Sequence, residues 1–277
     1  MLVACLGDVM LDVIVDLARP LRTDDDAPAL ITFSAGGQAA NVAAWVAHLG
    51  GSARVYGPRP GGERGSLVQQ ALSRHGVEVW GEETGRAGAV VSLVTEGVRS
   101  MASDPGDLGW LSDVRPGAWL TGADWLFVSG YALLRSTDPQ RLVDTAAAAR
   151  AQGSRIAVDL ASATMISEFG ASEFASLCRS LRPAAIFATD AEWAAGSGAF
   201  GARGPAVLVL KHGRKGASFV IDGIADDRPA QPGPVVDVTG AGDALTAGFL
   251  VGGADQAMRA AARCVSRRGA QPQRAER

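Results

Sequence analysis

Two aspartates and two glycines are concentrated in residues 237–243, which read Asp-Val-Thr-Gly-Ala-Gly-Asp. A valine-containing segment precedes this heptad, and an apolar stretch with helical character, residues 244–250, follows it. The pattern predicts a glycine turn leading into the N-terminus of a helix, where the first N–H groups have no partner within the helix and attract anions. A carboxylate there, Asp243, has two uses: it caps the helix, or it takes a proton from a hydroxyl that attacks a phosphoryl group.

A second glycine motif lies about two hundred residues earlier, where residues 36–43 read Gly-Gly-Gln-Ala-Ala-Asn-Val-Ala. A glycine pair lets a ligand approach the backbone closely. Asn41 falls one turn into the predicted helix, and its amide can both donate to and accept from sugar hydroxyls. Alone, the motif also fits an ordinary helix start with an exposed asparagine. Together with the heptad, it predicts a site that presents a hydroxyl to Asp243.

The elements that must position these motifs alternate between strand and helix, most clearly in the second half of the chain. Strands are predicted at residues 125–128, 156–159, 184–188, 207–211 and 217–221, and helices at 139–152, 172–181, 243–250 and 257–266. Such alternation predicts a parallel sheet covered by helices on both faces. Two β-rich segments, about residues 12–33 and 88–102, interrupt the alternation and predict a small sheet that projects from the main domain.

Composition limits the class of protein. The chain has 277 residues, 47% of them hydrophobic and 20% charged, which suits one large α/β domain over residues 1–277. The net charge of −3 and the lack of a long basic run argue against a nucleic-acid or anionic-membrane surface. No run of about 18 apolar residues predicts a membrane span. The three cysteines have no metal-ligand spacing, and the N-terminus has no signal-peptide pattern, so we expect a cytoplasmic protein.

Together, the two glycine motifs resemble the signatures of the ribokinase-like (PfkB-type) carbohydrate kinase family. Residues 36–41 match its Gly-Gly…Asn motif, and residues 237–243 match its Asp-x-Thr-Gly-Ala-Gly-Asp motif. Residues 7–12 resemble its first strand and sugar-binding aspartate, residues 211–216 its nucleotide loop, and residues 266–270 its Arg-x-Gly-Ala ending. The resemblance covers nearly the whole chain. It implies a three-layer α/β/α domain with a mostly parallel central sheet and a small β-sheet lid, formed by about residues 12–33 and 88–102.

The resemblance also implies a reaction, the ATP-dependent phosphorylation of a hydroxyl on a small sugar. Asp243 would be the general base, and the backbone N–H groups of Gly240, Ala241 and Gly242 would form an anion hole for the transferring phosphate. The implied acceptor-binding residues are Asp12, Gly37, Asn41 and Arg99, and the implied nucleotide-binding residues are Thr189, Lys211, Gly213 and Gly216. Thr189 stands where the family usually has asparagine, and Lys211 stands where its nucleotide loop usually begins with threonine.

Cofactors and partners follow from the same resemblance. Mg²⁺ would bridge the phosphates of ATP, with Glu192 acting on the metal through water. Asp237 would border a site for a monovalent cation such as K⁺. Family members often dimerise through their lids, so a homodimer is a further expectation.

Other functional classes were weighed on the same residues. The chain has no Gly-x-x-x-x-Gly-Lys-Ser/Thr loop, and its first strand is not followed by Gly-x-Gly-x-x-Gly, which argues against a Walker-type phosphotransferase and a dinucleotide-binding dehydrogenase. Two alternatives stay open: a nucleoside kinase of the same family, and a sugar- or nucleotide-binding regulator without turnover. The presence of Asp243 and both glycines of the heptad favours a kinase over the regulator.

Overall fold

The computed structural model describes residues 1–95, 98–200 and 205–273. The strands in chain order are β1 (Leu2–Leu6), β2 (Met10–Leu17), β3 (Ala29–Gly36), β4 (Ser52–Tyr56), β5 (Arg59–Pro60), β6 (Glu78–Trp80), β7 (Glu83–Thr84), β8 (Gly88–Thr95), β9 (Val98–Asp104), β10 (Trp125–Ser129), β11 (Arg155–Asp159), β12 (Ala185–Thr189), β13 (Val207–Lys211), β14 (Ala217–Ile221) and β15 (Ile224–Arg228). The α-helices are α1 (Gln38–His48), α2 (Gly62–Arg74), α3 (Gly130–Arg135), α4 (Pro139–Ala151), α5 (Ala163–Phe169), α6 (Ala171–Ser180), α7 (Asp190–Phe200) and α8 (Ala241–Val265).

A nine-stranded central sheet has the order β15-β14-β13-β12-β11-β10-β1-β4-β6. In this sheet order, all strands from β13 through to β6 run parallel to one another. At the other edge, β14 is antiparallel to β13, and β15 is antiparallel to β14. From β1 the chain moves through β4 to β6 on one side, and from β10 it moves through β11, β12 and β13 on the other. The direction therefore reverses between β1 and β10. In open α/β sheets, ligands bind in the crevice at such a reversal, outside the carboxyl ends of the strands.

Two hydrophobic cores lie on opposite faces of this sheet. In β1, Val3 and Cys5 pack into the core that α1, α2 and α8 cover, whereas Ala4 and Leu6 pack into the core that α3 to α7 cover. Because both faces are buried, the parallel strands are apolar at nearly every position. The structure confirms the predicted three layers, with a mostly parallel sheet between helices.

A smaller sheet of four strands has the order β3-β2-β8-β9. We call it the small sheet. Strands β2 and β8 are parallel, and the two outer pairs are antiparallel. Its strands come from the two β-rich segments that interrupt the alternation. Strand β2 follows closely on the end of β1, and this connection keeps Asp12 close to the point where the central sheet reverses.

Some helices differ from the sequence prediction. The chain forms α3, α5 and α7, which were not predicted as separate helices; α3 and α5 have only six and seven residues, and α7 contains two glycines. Helix α8 begins two residues before the predicted start. It spans both helices predicted at residues 243–250 and 257–266, and the non-helical backbone at Gly252 and Gly253 forms a kink between them. In the part of the chain that the structure describes, no helix is both long and apolar enough to span a bilayer.

Candidate active site

Polar side chains collect at the carboxyl edge of the central sheet. Ser129, Asp159, Thr189 and Lys211 are the last residues of four neighbouring strands, and Asp8 follows the end of β1. The register pairs Ser129 with Asp159 and Thr189 with Lys211, and it pairs Asp159 with Phe187, so this row of strand ends steps outward by two residues between β11 and β12. The preceding residues of the same strands are almost all apolar. The row therefore lines the crevice that the sheet topology predicts.

The start of α8 determines what Asp243 can do. Gly240 is the N-cap residue, with a left-handed backbone (φ 74°), and the helix begins at Ala241. A Cβ atom at Gly240 would lie 2.6 Å from Cα of Ala270, so the turn packs directly against residues 268–270. Asp243 is thus the third residue of the helix and not its N-cap. The helix-capping interpretation of Asp243 is therefore wrong.

The first turn of α8 presents backbone donors beside Asp243. The first helical hydrogen bond runs from the N–H of Ala244 to the carbonyl of Gly240, at 2.8 Å. The N–H of Gly242 precedes that bond and is one of the donors that a helix cannot satisfy itself. The N–H of Ala241 donates to the carbonyl of Val238 at 3.2 Å, a long bond. Of the N–H groups of Ala241 and Gly242, that of Gly242 is thus the better placed to donate to an anion.

Asn41 and Asp243 are in direct contact, although 202 residues separate them. Nδ2 of Asn41 donates to Oδ2 of Asp243 at 2.9 Å. An ionised carboxylate only accepts hydrogen bonds, so the NH₂ group of the amide must face it. Asn41 is only 6% exposed, and its Oδ1 has no hydrogen-bond partner among the described residues. The amide therefore orients the carboxylate and leaves one buried acceptor for a hydroxyl group.

The surroundings of Asp243 raise its pKa to about 7. Burial is the main cause, and the negative charges of Asp159 and Asp12 add to it, whereas the hydrogen bond from Asn41 and the charge of Lys211 act in the opposite direction. A general base works best when its pKa lies near the working pH. Asp243 therefore has the proton affinity of a base that operates near neutrality.

Gly36 and Gly37 allow close packing where the acceptor is expected. Gly37 has φ 93° at the N-terminus of α1, and a Cβ atom there would lie 2.3 Å from the carbonyl oxygen of Asp8. A Cβ atom at Gly36 would lie 2.0 Å from Oδ1 of Asp12. Only glycine fits at these two positions without moving both aspartates. Gly36 thus makes room for the side chain of Asp12 within the small sheet, and Gly37 lets the N-terminus of α1 approach the backbone at Asp8.

Sequence reasoning missed a group of side chains beside Asp8. The carboxylate of Asp8 is buried and accepts from Nη1 of Arg135 at 2.9 Å. The guanidinium of Arg135 lies over the ring of Tyr131, 4.7 Å from its centre. Burial, together with the negative charges of Asp8, Glu192 and Asp243, raises the pKa of Tyr131, so its ring is close to the site. The position of residues 129–135, directly after the predicted strand 125–128, was the available signal.

Lys211 is the last residue of β13 and lies against the first turn of α8, before the exposed turn that begins at Gly213. Its Nζ donates to Oδ2 of Asp159 at 2.7 Å, and Oγ1 of Thr246 donates to the same oxygen at 3.2 Å. A Cβ atom at Gly242 would lie 3.4 Å from Nζ, so the ammonium rests against the first turn of α8. Burial opposes the charge, but nearby Asp159 and Glu192 outweigh it and raise the pKa of Lys211. Asp159 was missed, although it ends a predicted strand.

Thr189 and Glu192 cap the start of α7 reciprocally. The N–H of Thr189 donates to Oε2 of Glu192 at 2.8 Å, and the N–H of Glu192 donates to Oγ1 of Thr189 at 3.3 Å. This is a capping box, and its Thr-x-x-Glu spacing was readable in the sequence although it was not recognised there. Both residues also stand at the edge of the site, because Glu192 is buried beside Asp159.

Replacing Thr189 by valine is expected to destabilise the fold by about 1 kcal/mol, because the N–H of Glu192 loses its acceptor. The expected fall in Tm is about 2 °C for a chain of this size. Thr189→Ser keeps the hydroxyl and should restore most of the loss. Thermal denaturation of the three proteins measures this, and equal Tm values for the valine and serine variants would show that the cap does not contribute.

The carboxylates near Lys211 fit Mg²⁺ held largely through water. Glu192 has a raised pKa because it is buried and close to the charge of Asp159, and a divalent cation would relieve that repulsion. Within the described residues, no three side chains of His, Cys, Asp or Glu converge as a metal cage. Mg²⁺ needs no such cage, since it usually keeps several waters and binds one or two carboxylates together with substrate phosphates.

Asp237 clamps the loop before α8 to the segment that follows the helix. Its Oδ1 accepts from the N–H and Oγ1 of Thr239, and its Oδ2 accepts from the N–H of Gly269 at 2.9 Å. Nε1 of Trp45 fixes the same segment by donating to the carbonyl of Ala270 at 2.8 Å. The role of this carboxylate in the structure is thus to hold the two loops together beside the glycine turn.

The remaining predicted site residues are Gly213, Gly216 and Arg99. Gly213 (φ 59°) opens a short exposed 3₁₀ turn, and a Cβ atom at Gly216 (φ 111°) would lie 1.9 Å from the carbonyl oxygen of Arg228. Gly216 is therefore required by the packing of β14 against the end of β15. Arg99 pairs with Val94 between β9 and β8, and its side chain lies outside the described residues.

Solved structures share this fold over nearly the whole chain. A probable sugar kinase from Rhizobium etli has a TM-score of 0.84 at 22% identity, and an adenosine kinase from Sinorhizobium meliloti has a TM-score of 0.84 at 24% identity. An uncharacterized sugar kinase from Pyrococcus horikoshii, in complex with ATP, has a TM-score of 0.81 at 21% identity. Each comparison covers 98% of this chain and 95% of the other. No curated protein sequence matches the chain.

The family model described as pfkB family carbohydrate kinase matches residues 1–271. The match includes both glycine motifs and the whole row of polar residues at the carboxyl edge of the sheet. The chain therefore belongs to the pfkB family of carbohydrate kinases and is a phosphotransferase.

Proposed function

We propose that this protein transfers the terminal phosphoryl group of ATP to a hydroxyl group of a small sugar. The observation that carries the proposal is the contact between Asn41 and Asp243, in which a carboxylate with a pKa of about 7 is held beside the first turn of α8. A general base, an acceptor site and an anion site thus adjoin one another. The use of ATP is supported by the similar Pyrococcus horikoshii sugar kinase that was solved in complex with ATP.

The acceptor hydroxyl is placed between α1 and the small sheet. Asn41 offers its unpartnered Oδ1 to a sugar hydroxyl, and Asp12 projects a carboxylate from the small sheet close enough to raise the pKa of Asp243. Gly37 keeps the backbone open beside them. Asp243 takes the proton of the hydroxyl as that oxygen attacks phosphorus, a role that is typically worth about 10²–10⁴-fold in rate.

The phosphoryl group is placed at the N-terminus of α8. The N–H of Gly242 and the helix dipole stabilise the charge that builds up during transfer, and a single donor of this kind is typically worth about 3 kcal/mol. Gly240 and Ala241 form the turn that orients the N–H of Gly242 and the N-terminus of α8 toward the phosphoryl group. Mg²⁺, when bound, neutralises charge on the phosphates of ATP, and Glu192 would hold it through water. Gly213 and Gly216 shape the turn that lies beside the nucleotide, which Thr189 would contact from the end of β12.

Two further expectations from the family resemblance concern Arg99 and Asp237. Arg99 lies on β9 of the small sheet and would contact the acceptor. Asp237 would border a site for a monovalent cation such as K⁺, since both of its oxygens accept hydrogen bonds from the loops beside the glycine turn and keep lone pairs for a cation. A sugar-dependence assay of Arg99→Ala, in which KM for the acceptor should rise, tests the first of these roles.

The small sheet would act as a lid that excludes water, which would otherwise accept the phosphoryl group. One face of this lid is apolar, because the register places Val13 with Phe33 and Val91, and Val15 with Ile31. Phe33 is 59% exposed. We propose that this face pairs with a second copy in a homodimer, which sedimentation equilibrium would show.

We also propose that residues 1–277, with the lid included, form a single domain that unfolds in one transition.

The cell compartment follows from the thiol chemistry and the phosphate donor. Cys5, Cys178 and Cys264 are buried and form no disulfide. Free thiols persist in a reducing compartment, and ATP is supplied there. We place the enzyme in the cytoplasm, and fractionation of source cells followed by immunodetection would test this.

A nucleoside acceptor is the second candidate, and the similarity to the Sinorhizobium meliloti adenosine kinase favours it. A coupled assay of ADP release, run with a panel of sugars, sugar acids and nucleosides, separates the candidates. We expect turnover that depends on one acceptor class, with sugars ahead of nucleosides. Ligand binding without acceptor-dependent ADP release for every member would instead identify a non-catalytic regulator and refute the kinase proposal.

A further inference from the structure

The pair formed by Lys211 and Asp159 is a buried ion pair at the carboxyl edge of the sheet. The side chain of Lys211 is 12% exposed, and that of Asp159 is fully buried. Burying two charges costs solvation free energy, and an apolar pair of similar size is often as stable or more stable. Stability alone thus gives a weak reason for this pair. Its position, at the ends of β13 and β11 where the crevice opens, suggests a use in the crevice.

The ammonium of Lys211 is aimed at the first turn of α8. Nζ donates to Oδ2 of Asp159, and the same oxygen accepts from Oγ1 of Thr246 in α8, so the position of the ammonium is fixed. A Cβ atom at Gly242 would lie 3.4 Å from Nζ and 3.5 Å from Cδ. These are van der Waals contact distances, so the end of the lysine side chain lies directly against the first turn of α8. The ammonium thus adjoins the residue whose N–H is left without a partner within the helix, so one anion bound at this turn would lie near both groups.

The charges around the site favour a cation at this point. Asp159 accepts a hydrogen bond from Nζ, and the negative charges of Glu192 and Asp243 lie close enough to act on the ammonium. An anionic phosphoryl group entering the crevice would be repelled by them. A fixed ammonium offsets part of that repulsion without having to reorient during the reaction, which is the condition for strong electrostatic stabilisation.

We propose that Lys211 is a catalytic residue whose ammonium contacts the phosphoryl group in transfer, and that Asp159, with Thr246, is the positioning residue that holds it there. The proposal rests on the kinase function proposed above. In the step itself, a bond forms between the acceptor oxygen and phosphorus, and the bond from phosphorus to the bridging oxygen breaks. The electron pair of that bond leaves with ADP, and the acceptor proton goes to Asp243. Lys211 neither gains nor loses a proton.

The competing role is purely structural, with the pair serving only to tie β11, β13 and α8 together. The variant Lys211→Met alone does not separate the roles, because it leaves Asp159 buried without its cation and destabilises the fold. The double variant Lys211→Met/Asp159→Asn removes both charges together. A matched control is Arg141→Met/Asp138→Asn, which removes an exposed ion pair at the N-terminus of α4.

Three measurements on these proteins test the proposal: Tm, kcat at saturating acceptor, and the affinities for ADP and for the ATP analogue AMP-PNP by calorimetry. For the double variant we expect ADP affinity within about threefold of wild type, AMP-PNP affinity at least tenfold weaker, and kcat lower by about 10²–10³-fold. The control double variant should match wild type throughout. Asp159→Asn alone keeps the ammonium beside Glu192 and Asp243, should lower Tm because the buried lysine loses its partner, and should weaken AMP-PNP binding more than ADP binding.

The outcomes separate this proposal from the kinase function. Wild-type kcat and an unchanged ratio of ADP to AMP-PNP affinity in the double variant would overturn the role of Lys211 and leave the kinase in place. Equal weakening of both nucleotides would also overturn it, because it would place Lys211 away from the terminal phosphate. Absence of wild-type turnover with every acceptor would refute the kinase instead, and the nucleotide affinities would still test the contact of Lys211 with that phosphate.

Discussion

Replacing Asp243 by asparagine is expected to lower kcat by about 10²–10⁴-fold while acceptor binding stays nearly unchanged. The side chains have the same shape, and the new amide can still accept the hydrogen bond from Nδ2 of Asn41. What is lost is the group that takes a proton. Steady-state kinetics with the best acceptor of the panel, together with calorimetric binding of that acceptor, measures both quantities. Asp255→Asn, an exposed position on the same helix, is the matched control and should keep wild-type turnover.

The pH dependence of the same variant gives an independent readout. Because the pKa of Asp243 is about 7, wild-type kcat/KM should rise as the pH passes through 7, and the residual activity of the variant should lack that rise. Turnover close to that of wild type, with the same pH profile, would show that Asp243 is not the base.

Stability should change with pH in the opposite sense. The pKa of Asp243 is higher in the folded protein than its ordinary value of 3.8, so the folded state binds a proton more tightly than the unfolded chain. Its contribution to stability is complete below pH 3.8 and is lost as the pH rises to about 7. The variant has no such group. The Tm of the variant minus the Tm of wild type should therefore increase between pH 5 and 7 and level off above pH 7.

Much of the fold followed from local patterns in the sequence. The buried strands are short apolar runs, and they alternate with helices in the second half of the chain, which is sufficient to predict a parallel sheet covered on both faces. The glycine turn at residues 240–242 was also local, since it needs only a left-handed residue before a helix. The exact start of α8 was less certain from sequence, and a shift of two residues changed Asp243 from a possible N-cap to an internal residue of the first turn.

The contacts that make the site were harder to predict because they join distant positions. Lys211 and Asp159 are 52 residues apart, and Asp8 and Arg135 are 127 residues apart. Which strand ends become neighbours depends on the order of strands in the sheet, and no local pattern encodes that order. The capping box at the start of α7 is different, because its Thr-x-x-Glu spacing is local and identifies it.

Replacing Gly240 by alanine is expected to destabilise the protein by about 2–4 kcal/mol and to lower kcat by about 10²-fold. The left-handed backbone costs free energy for any residue with a side chain. In addition, the new methyl group would meet Cα of Ala270 at 2.6 Å. Ala270 cannot retreat easily, because Nε1 of Trp45 holds its carbonyl. The turn must therefore move, and it carries the N–H of Gly242 away from the phosphoryl group.

Gly253 supplies a matched control on the same helix for this prediction. Its φ of 71° is close to that of Gly240, its ψ of −162° is still less favourable for a residue with a side chain, and a Cβ atom there would have no heavy atom within 4 Å. Gly253→Ala therefore incurs a backbone cost alone, about 1–3 kcal/mol, and should leave kcat unchanged. Tm and kcat, measured at a temperature where both variants are folded, separate the two effects. If both substitutions reduced stability and turnover equally, the packing of the turn against Ala270 would not matter, and the anion site would have to be sought elsewhere than at the start of α8.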